Sequence, residues 1–209
     1  MGTPREVLKV LHYDGIVILP TETVYGLAAR ADRPNAVRRI YDIKGRDFDK
    51  PLALCVSSLD IAKQYGDFSR IAQNMAKKFW PGPLTLVVPA ATPTFFNQLA
   101  PQMYAKNSKG EPTIAIRCPD VEWRTRIQNR GLEYPVALTS ANRSGGPDPI
   151  SAKQASEAIG VDVDDIWYGP DCDAALPSTI VTLAEGSPKV LREGALPLKA
   201  LKQWKVTSI

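Results

Sequence analysis

Residues 40–56 read IYDIKGRDFDKPLALCV, a stretch in which a helix, a turn and a strand follow one another. Ile40, Tyr41 and Ile43 continue an apolar face begun by Ala36 and Val37, and that spacing predicts a helix over Asp32–Ile43. Lys44-Gly45-Arg46 makes the turn, a charged loop carries Lys50, and the apolar run Pro51–Val56 predicts a buried strand. Core packing does not account for two cations flanking a glycine. They suit an anion with several oxygens, such as a triphosphate, because arginine offers a fork of donors and lysine a movable charge. Gly45 would let the backbone come close. The same residues also suit a solvated helix end, where cations complement the dipole.

Toward the N-terminus, Thr3-Pro4-Arg5-Glu6 has the form of a capped helix start, with Val7, Leu8, Val10 and Leu11 as the buried face. Gly15 ends it, and Ile16–Leu19 predicts a short strand running into Pro20-Thr21-Glu22-Thr23-Val24-Tyr25-Gly26. Thr21, Thr23 and Tyr25 just after a strand fit either a ligand-facing turn or a continuing strand.

Toward the C-terminus, Ser58 and Ser69 predict N-caps of two helices, the second burying Ile71, Met75 and Phe79. Trp80-Pro81-Gly82-Pro83 reads as a rigid turn before a strand over Leu84–Val88. Thr92–Pro112 lacks a firm period and reads as a long excursion or flap, although Phe95, Phe96 and Leu99 could pack as a half-buried helix. Thr113–Arg117 alternates as a strand, leaving Arg117 at its end to meet a carboxylate or to make a surface ion pair. Val121–Gln128 reads as a helix and Val136–Thr139 as a strand. The turn Ser140-Ala141-Asn142-Arg143-Ser144-Gly145-Gly146-Pro147 offers donors to an oxyanion, although the same residues also make ordinary turns. Ser151 with Gln154 caps another helix. Strands follow near Asp165–Tyr168, Pro177–Val181 and Lys189–Leu191, and Leu196–Trp204 closes as a helix. Interleaved strands and helices without repeats imply an α/β fold with a mixed twisted sheet in one unit.

The chain has 209 residues, 44% of them apolar and 23% charged, with 26 Lys and Arg against 22 Asp and Glu. A net charge of +4 tolerates nucleotides or RNA without demanding them. Cys55, Cys118 and Cys172 are far apart and form no C-x-x-C pair, which points to free thiols in a reducing cytoplasm. No apolar run reaches membrane-span length, so no membrane association is expected. The single histidine, His12, removes paired-histidine metal sites and reads as a surface residue.

Taken together, these turns resemble the YrdC family. The blocks are PTETVYGL (20–27), KGR (44–46), KPL (50–52), WPGPLT (80–85), RCP (117–119), TSANRSG (139–145), PSTIV (177–181) and REG (192–194). They occur in the family's order, span nearly the whole chain, and include its paired KGR and SAN signature. The resemblance implies one YrdC-like domain over residues 1–209, the short form, with a twisted mixed sheet and helices around a basic concave cavity. It implies the activity of L-threonylcarbamoyladenylate synthase, a nucleotidyltransferase. That reaction takes ATP with Mg2+ on its phosphates, L-threonine and bicarbonate to threonylcarbamoyl-AMP and pyrophosphate, for tRNA modification at adenosine 37. Partners are then these substrates, with tRNA or tRNA-modification proteins as further ones.

Carried over residue by residue, the family pattern puts Lys44, Arg46, Ser140 and Asn142 in the catalytic and phosphate-binding set. Thr113, Pro147 and Arg192 join them on the nucleotide side. Thr21, Thr23, Tyr25, Arg117 and Ser178 fall on the threonine side. Thr182 stands where many relatives carry an acid, so no protein metal ligand is assigned. Phosphoryl chemistry of this kind needs cations and donors rather than histidine. Two other readings stand beside it. One is a non-catalytic RNA-binding module with a basic concave surface. The other is a relative that starts from carbamoyl phosphate, which the lack of acylphosphatase-like or zinc-finger segments disfavours.

Overall fold

Thr3 opens the first helix, α1 (Pro4–His12), through a reciprocal cap: its hydroxyl accepts from the Glu6 amide while Glu6 Oε2 accepts from the Thr3 amide at 2.7 Å. The computed structural model describes residues 3–94, 98–124 and 134–208. In chain order there follow β1 (Val17–Leu19), β2 (Gly26–Arg30), α2 (Pro34–Lys44), β3 (Ala53–Cys55), α3 (Leu59–Ala62), α4 (Arg70–Phe79) and β4 (Leu84–Pro89). Then come β5 (Tyr104–Lys106), β6 (Pro112–Arg117), β7 (Val136–Ser140), α5 (Ala152–Ile159), β8 (Asp165–Ile166), β9 (Thr179–Thr182), β10 (Lys189–Arg192) and β11 (Thr207–Ser208). Among the described residues no helix is long and apolar enough to cross a membrane.

The strands form one mixed sheet in the order β11-β10-β9-β4-β6-β3-β7-β2-β1-β8, with β5 added on β6. β3 and β6 pair in parallel, as do β4 and β9, whereas β2–β7, β3–β7 and β4–β6 are antiparallel. Leu54, Ile116, Ala137, Leu86 and Val181 face a core completed by Val37 and Ile40 of α2, Met75 of α4 and Ile159 of α5. On the opposite face Val7, Leu8 and Leu11 of α1 pack with Val17, Leu19, Trp123, Leu138 and Trp167. Beside that second cluster the sheet stays open.

Chain breaks position the site. Gly45 takes the left-handed conformation (φ 59°) and ends α2, so Lys44 is its last helical residue and Arg46 leaves in a new direction. Nothing crowds a side chain at Gly45, so its backbone angles, not space, favour glycine. Tyr41 pins the outgoing loop by donating to the carbonyl of Lys50 or of Gln102, at 3.0 and 3.2 Å, and its ring stacks on Phe48. Gly194 is selected by space instead: a Cβ there would lie 2.1 Å from the Pro177 carbonyl oxygen.

Several sequence expectations need correcting. Ile71 is 41% exposed, because α4 buries Ala72, Met75 and Ala76 instead. The closing helix is a 3-10 helix over Leu198–Trp204, burying Leu201. His12 is half-buried at the end of α1, its ring against Tyr13 and Tyr134. Of the helix expected over Val121–Gln128, residues 122–124 are helical and 125–128 lie outside the described residues, as do Phe95 and Phe96 of the expected flap. The end of that flap is a hairpin: β5 pairs along β6, and residues 107–111 form its turn. Asn107 Nδ2 donates to the Ala184 carbonyl, and Ser108 gives its amide and hydroxyl to Glu185. The hairpin turn precedes β6, whereas Arg117 ends it, so tip and cavity lie at opposite ends of that strand.

Candidate active site

The open part of the second face holds a cavity of about 170 Å³. Its floor follows the strand period: Ala53 and Cys55 of β3, Ala115 and Arg117 of β6, Leu138 and Ser140 of β7, and Ile180 of β9. Small side chains at Ala53 and Ala115 leave the space, while their neighbours Leu54, Ile114 and Ile116 fill the core behind. A protein cavity of about 150 Å³ holds a benzene-sized molecule, so this one suits a molecule of amino-acid size. Burial pushes the Cys55 thiol up to about 12, so it stays protonated at neutral pH.

Arg117 lies at the inner wall, 5% exposed. Its Nη2 donates to Glu22 Oε1 at 2.7 Å and to Thr23 Oγ1 at 3.0 Å, and its Nε to the Gly82 carbonyl at 3.3 Å. The Trp80–Pro83 turn, with a cis Trp80–Pro81 peptide, presents that carbonyl. The hydroxyls below are ordered. Thr21 donates its one proton to the Val24 carbonyl at 2.5 Å, so Thr23, 2.8 Å away, donates to Thr21 and accepts from Arg117. Thr21 Oγ1 also accepts from the amides of Thr23 and Val24, both at 3.1 Å. The Thr21 hydroxyl therefore builds the turn. It also lines the cavity.

On the opposite wall Arg192 donates through Nε and Nη2 to the Ser178 carbonyl, at 3.1 and 2.8 Å. The Ser178 hydroxyl is 2.8 Å from that of Thr85, which is 2% exposed. Arg46 Nε and Nη2 are held by the Lys50 and Pro51 carbonyls at 2.9 and 3.2 Å. Partial burial is the largest influence lowering the Arg192 pKa; Asp148 opposes it, and Arg117 and Arg46 add to it. Three guanidiniums around one small cavity make it a site for an anion bearing more than one charge.

Lys44 is 3% exposed and does not line the cavity. Its ammonium donates to the Ser140 carbonyl at 2.5 Å, the Asn142 carbonyl at 2.7 Å and Asn142 Oδ1 at 3.0 Å. Asn142 Oδ1 also accepts from the Ser140 hydroxyl at 2.7 Å, and Asn142 Nδ2 donates to the Gly146 carbonyl at 2.6 Å. Burial pulls the Lys44 pKa down to about 8, Arg46 adding to this and Asp148 opposing it. Following a helix end, Lys44 and Arg46 are both expected to reach into the cavity, and only Arg46 lines it. Lys44 is a buried brace of the 140–146 turn.

A family model described as Sua5_yciO_yrdC, telomere recombination, matches residues 9–194. The chain belongs to the Sua5–YciO–YrdC family. Within the family it is 37% identical over 192 residues to a threonylcarbamoyl-AMP synthase of Pyrococcus abyssi, covering 90% of this chain and 53% of that protein. It is 34% identical over 193 residues to the Bacillus subtilis protein of the same name, covering 91% and 53%. The chain thus spans about half the length of these curated relatives. The crystal structure of Pyrococcus abyssi Sua5 complexed with L-threonine superposes with a TM-score of 0.86 at 34% identity, over 99% of this chain and 58% of that one. The mixed α/β sheet flanked by helices is the Sua5–YciO–YrdC fold.

Of the family positions read from sequence, Thr21, Thr23, Arg46, Arg117, Ser140, Ser178 and Arg192 line the one cavity. Lys44 and Asn142 stand directly behind Ser140. Three others are absent from the lining. Tyr25 is fully buried, with its hydroxyl donated to the Pro170 carbonyl at 2.9 Å. Thr113 is 4% exposed on the cavity face of β6, two residues beyond Ala115, and Pro147 is exposed on the turn. Sequence reading gave no role to Glu22, Thr85 or Asp148. An acid between two hydroxylated residues was the only local signal for Glu22, and nothing in the chain announced its arginine partner.

Proposed function

We propose that this chain is a nucleotidyltransferase that joins L-threonine, bicarbonate or CO2, and ATP into threonylcarbamoyl-AMP and pyrophosphate. The observation that carries the proposal is the convergence of Arg46, Arg117 and Arg192 on one cavity with the Ser140 turn at its edge. The names of the relatives, and the L-threonine bound to one of them, support the same reading.

In this mechanism Arg117 holds the threonine carboxylate, and the Thr85–Ser178 hydroxyl pair faces the substrate's polar side. The amine captures CO2 as a carbamate, whose oxygen attacks the α-phosphorus, and pyrophosphate leaves. Arg46 and Arg192 stabilise the phosphate charge that shifts toward pyrophosphate in the transition state, and the Ser140–Asn142 turn holds the α-phosphate, the Ser140 hydroxyl turning from Asn142 Oδ1 to meet it. Lys44 and Asn142 keep that turn in register. The recess favours the carbamate by keeping bulk water from it and holding the reactants in line. Magnesium arrives on the ATP phosphates as part of the substrate. Among the described residues no group of three or more His, Cys, Asp or Glu could hold a metal, and the cavity lining carries no carboxylate, so the donor set does not fit a resident cation.

We further infer that residues 1–209 form one YrdC-like domain working in the cytoplasm, and that the adenylate passes to a tRNA-modification partner for position 37 of tRNA. The deciding experiment is mass spectrometry of the product from ATP, L-threonine and bicarbonate, with pyrophosphate release measured as each is withheld. Release that requires all three, with the adduct mass, supports the reading. RNA retention without nucleotide turnover would instead favour a non-catalytic RNA-binding module.

A further inference from the structure

We propose that Glu22 is a positioning residue that aims Arg117 at the carboxylate of the amino-acid substrate, an inference that rests on the function proposed above. A guanidinium carries five N–H donors. Both hydrogens of Arg117 Nη2 are used, one by Glu22 Oε1 at 2.7 Å and one by Thr23 Oγ1 at 3.0 Å, and the Nε hydrogen goes to the Gly82 carbonyl. The two hydrogens on Nη1 are left for a ligand, and the other three bonds fix where they point. Glu22 makes the shortest of the three and is the charged member, so it dominates the orientation.

The pair is costly to bury. The Arg117 side chain is 6% exposed and that of Glu22 20%, and Glu22 Oε2 is buried with no hydrogen-bond partner among the described residues. Leaving a carboxylate oxygen buried and unpaired works against folding, and uncharged residues often serve stability as well as a buried ion pair does. Such an arrangement is expected where the arginine must be held for a ligand. Glu22 does not itself line the cavity, so it acts through Arg117 rather than on the substrate. Its influence is confined to the amino-acid end. Arg46 is held by Lys50 and Pro51, Arg192 by Ser178, and the Ser140 turn by Lys44, none of which bonds Glu22.

Calorimetric titration of wild type, Glu22→Ala and Glu22→Gln with L-threonine, and separately with ATP, tests the proposal. Glu22→Ala should weaken threonine binding about tenfold or more, equivalent to about 1.4 kcal/mol. Glu22→Gln keeps an acceptor but loses the charge, and should lie between Glu22→Ala and wild type, which makes it the deciding variant if Glu22→Ala does not fold. ATP affinity should stay within about twofold in each folded variant, a split that a merely structural role would not produce. Threonine bound as tightly by a folded variant as by wild type, or threonine and ATP affinity lost in parallel, overturns the role of Glu22 while leaving the function intact. Wild type that binds ATP but no threonine overturns the function itself, and this inference with it.

Discussion

The ammonium of Lys44 meets Asn142 twice, at its carbonyl oxygen 2.7 Å away and at Oδ1 3.0 Å away, and so ties the end of α2 to the turn after β7. The contact spans 98 residues of sequence. It separates two cations that the sequence presents as a pair: Lys44 braces a turn, and Arg46 faces the cavity.

Lys44→Ala should therefore lower both activity and stability. It leaves three acceptors in a buried turn without their donor, at about 1–3 kcal/mol for such a loss. Arg46→Ala removes a half-buried side chain and should change stability by no more than about 0.5 kcal/mol. Both should cut kcat/KM by about two orders of magnitude, near 3 kcal/mol. Thermal melts paired with pyrophosphate release measure this, and equal melting losses in the two variants would contradict the division of roles.

The same lysine gives a pH signature. With its pKa near 8, kcat/KM should fall on the alkaline side with an inflection there, as the charge that holds the Ser140–Asn142 turn is lost. Stability should move the other way. The folded pKa lies below the ordinary 10.5, so between about 8 and 10.5 the unfolded chain binds more protons, and the Lys44 contribution to stability rises with pH through that window. Activity and melting profiles recorded together check both signs. Lys44→Arg, whose charge does not titrate in this range, should lose the inflection near 8.

Local chemistry was legible in the sequence. The Thr3–Glu6 cap, the helix stop at Gly45 and the alternation of Thr113, Ala115 and Arg117 against Ile114 and Ile116 can all be read from neighbours in the chain. So could seven of the residues that line the cavity, through the family's motifs. Contacts between distant segments were not legible. Arg117 and Glu22 are 95 residues apart, and no periodicity announces that the arginine at the end of β6 finds an acid in the turn before β2. Thr21 shows the same limit at short range, since the motif does not announce that its hydroxyl proton goes to the Val24 carbonyl.

That proton order predicts which hydroxyls choose the amino acid. Thr21→Ser keeps the turn and should retain activity within about threefold, whereas Thr21→Val loses the bonds to Thr23 and Val24 and should cost about 1–2 kcal/mol of stability. Preference for threonine over valine should depend instead on Ser178 and its partner Thr85. A site built to hydrogen-bond a substrate hydroxyl rejects the analogue lacking it far more strongly than one methylene can. Ser178→Ala should narrow the ratio of kcat/KM for threonine against valine by about tenfold, near 1.4 kcal/mol. An unchanged ratio would remove Ser178 from recognition.

The hairpin tip separates a lid from a fixed turn. A Thr92–Pro112 flap that shields a carbamate would close its 106–110 tip over nucleotide, yet Ser108 is bonded through its amide at 2.8 Å and its hydroxyl at 2.5 Å to Glu185, in the loop between β9 and β10. Asn107 adds a bond to the Ala184 carbonyl, and Gly110 takes the left-handed conformation that the turn requires (φ 79°). The Asn107–Gly110 turn lies beyond Pro112, at the end of β6 remote from Arg117. At about 3.4 Å per antiparallel residue, the five steps from Pro112 to Arg117 alone span roughly 17 Å. Adding ATP and L-threonine should therefore leave amide exchange across 106–110 unchanged while slowing it around Ser140–Gly146. Glu185→Ala should speed exchange at Ser108, since it removes the acceptor of both Ser108 bonds, and leave kcat/KM within about twofold. Substrate-dependent protection at the tip, or a large loss of activity in Glu185→Ala, would restore the lid.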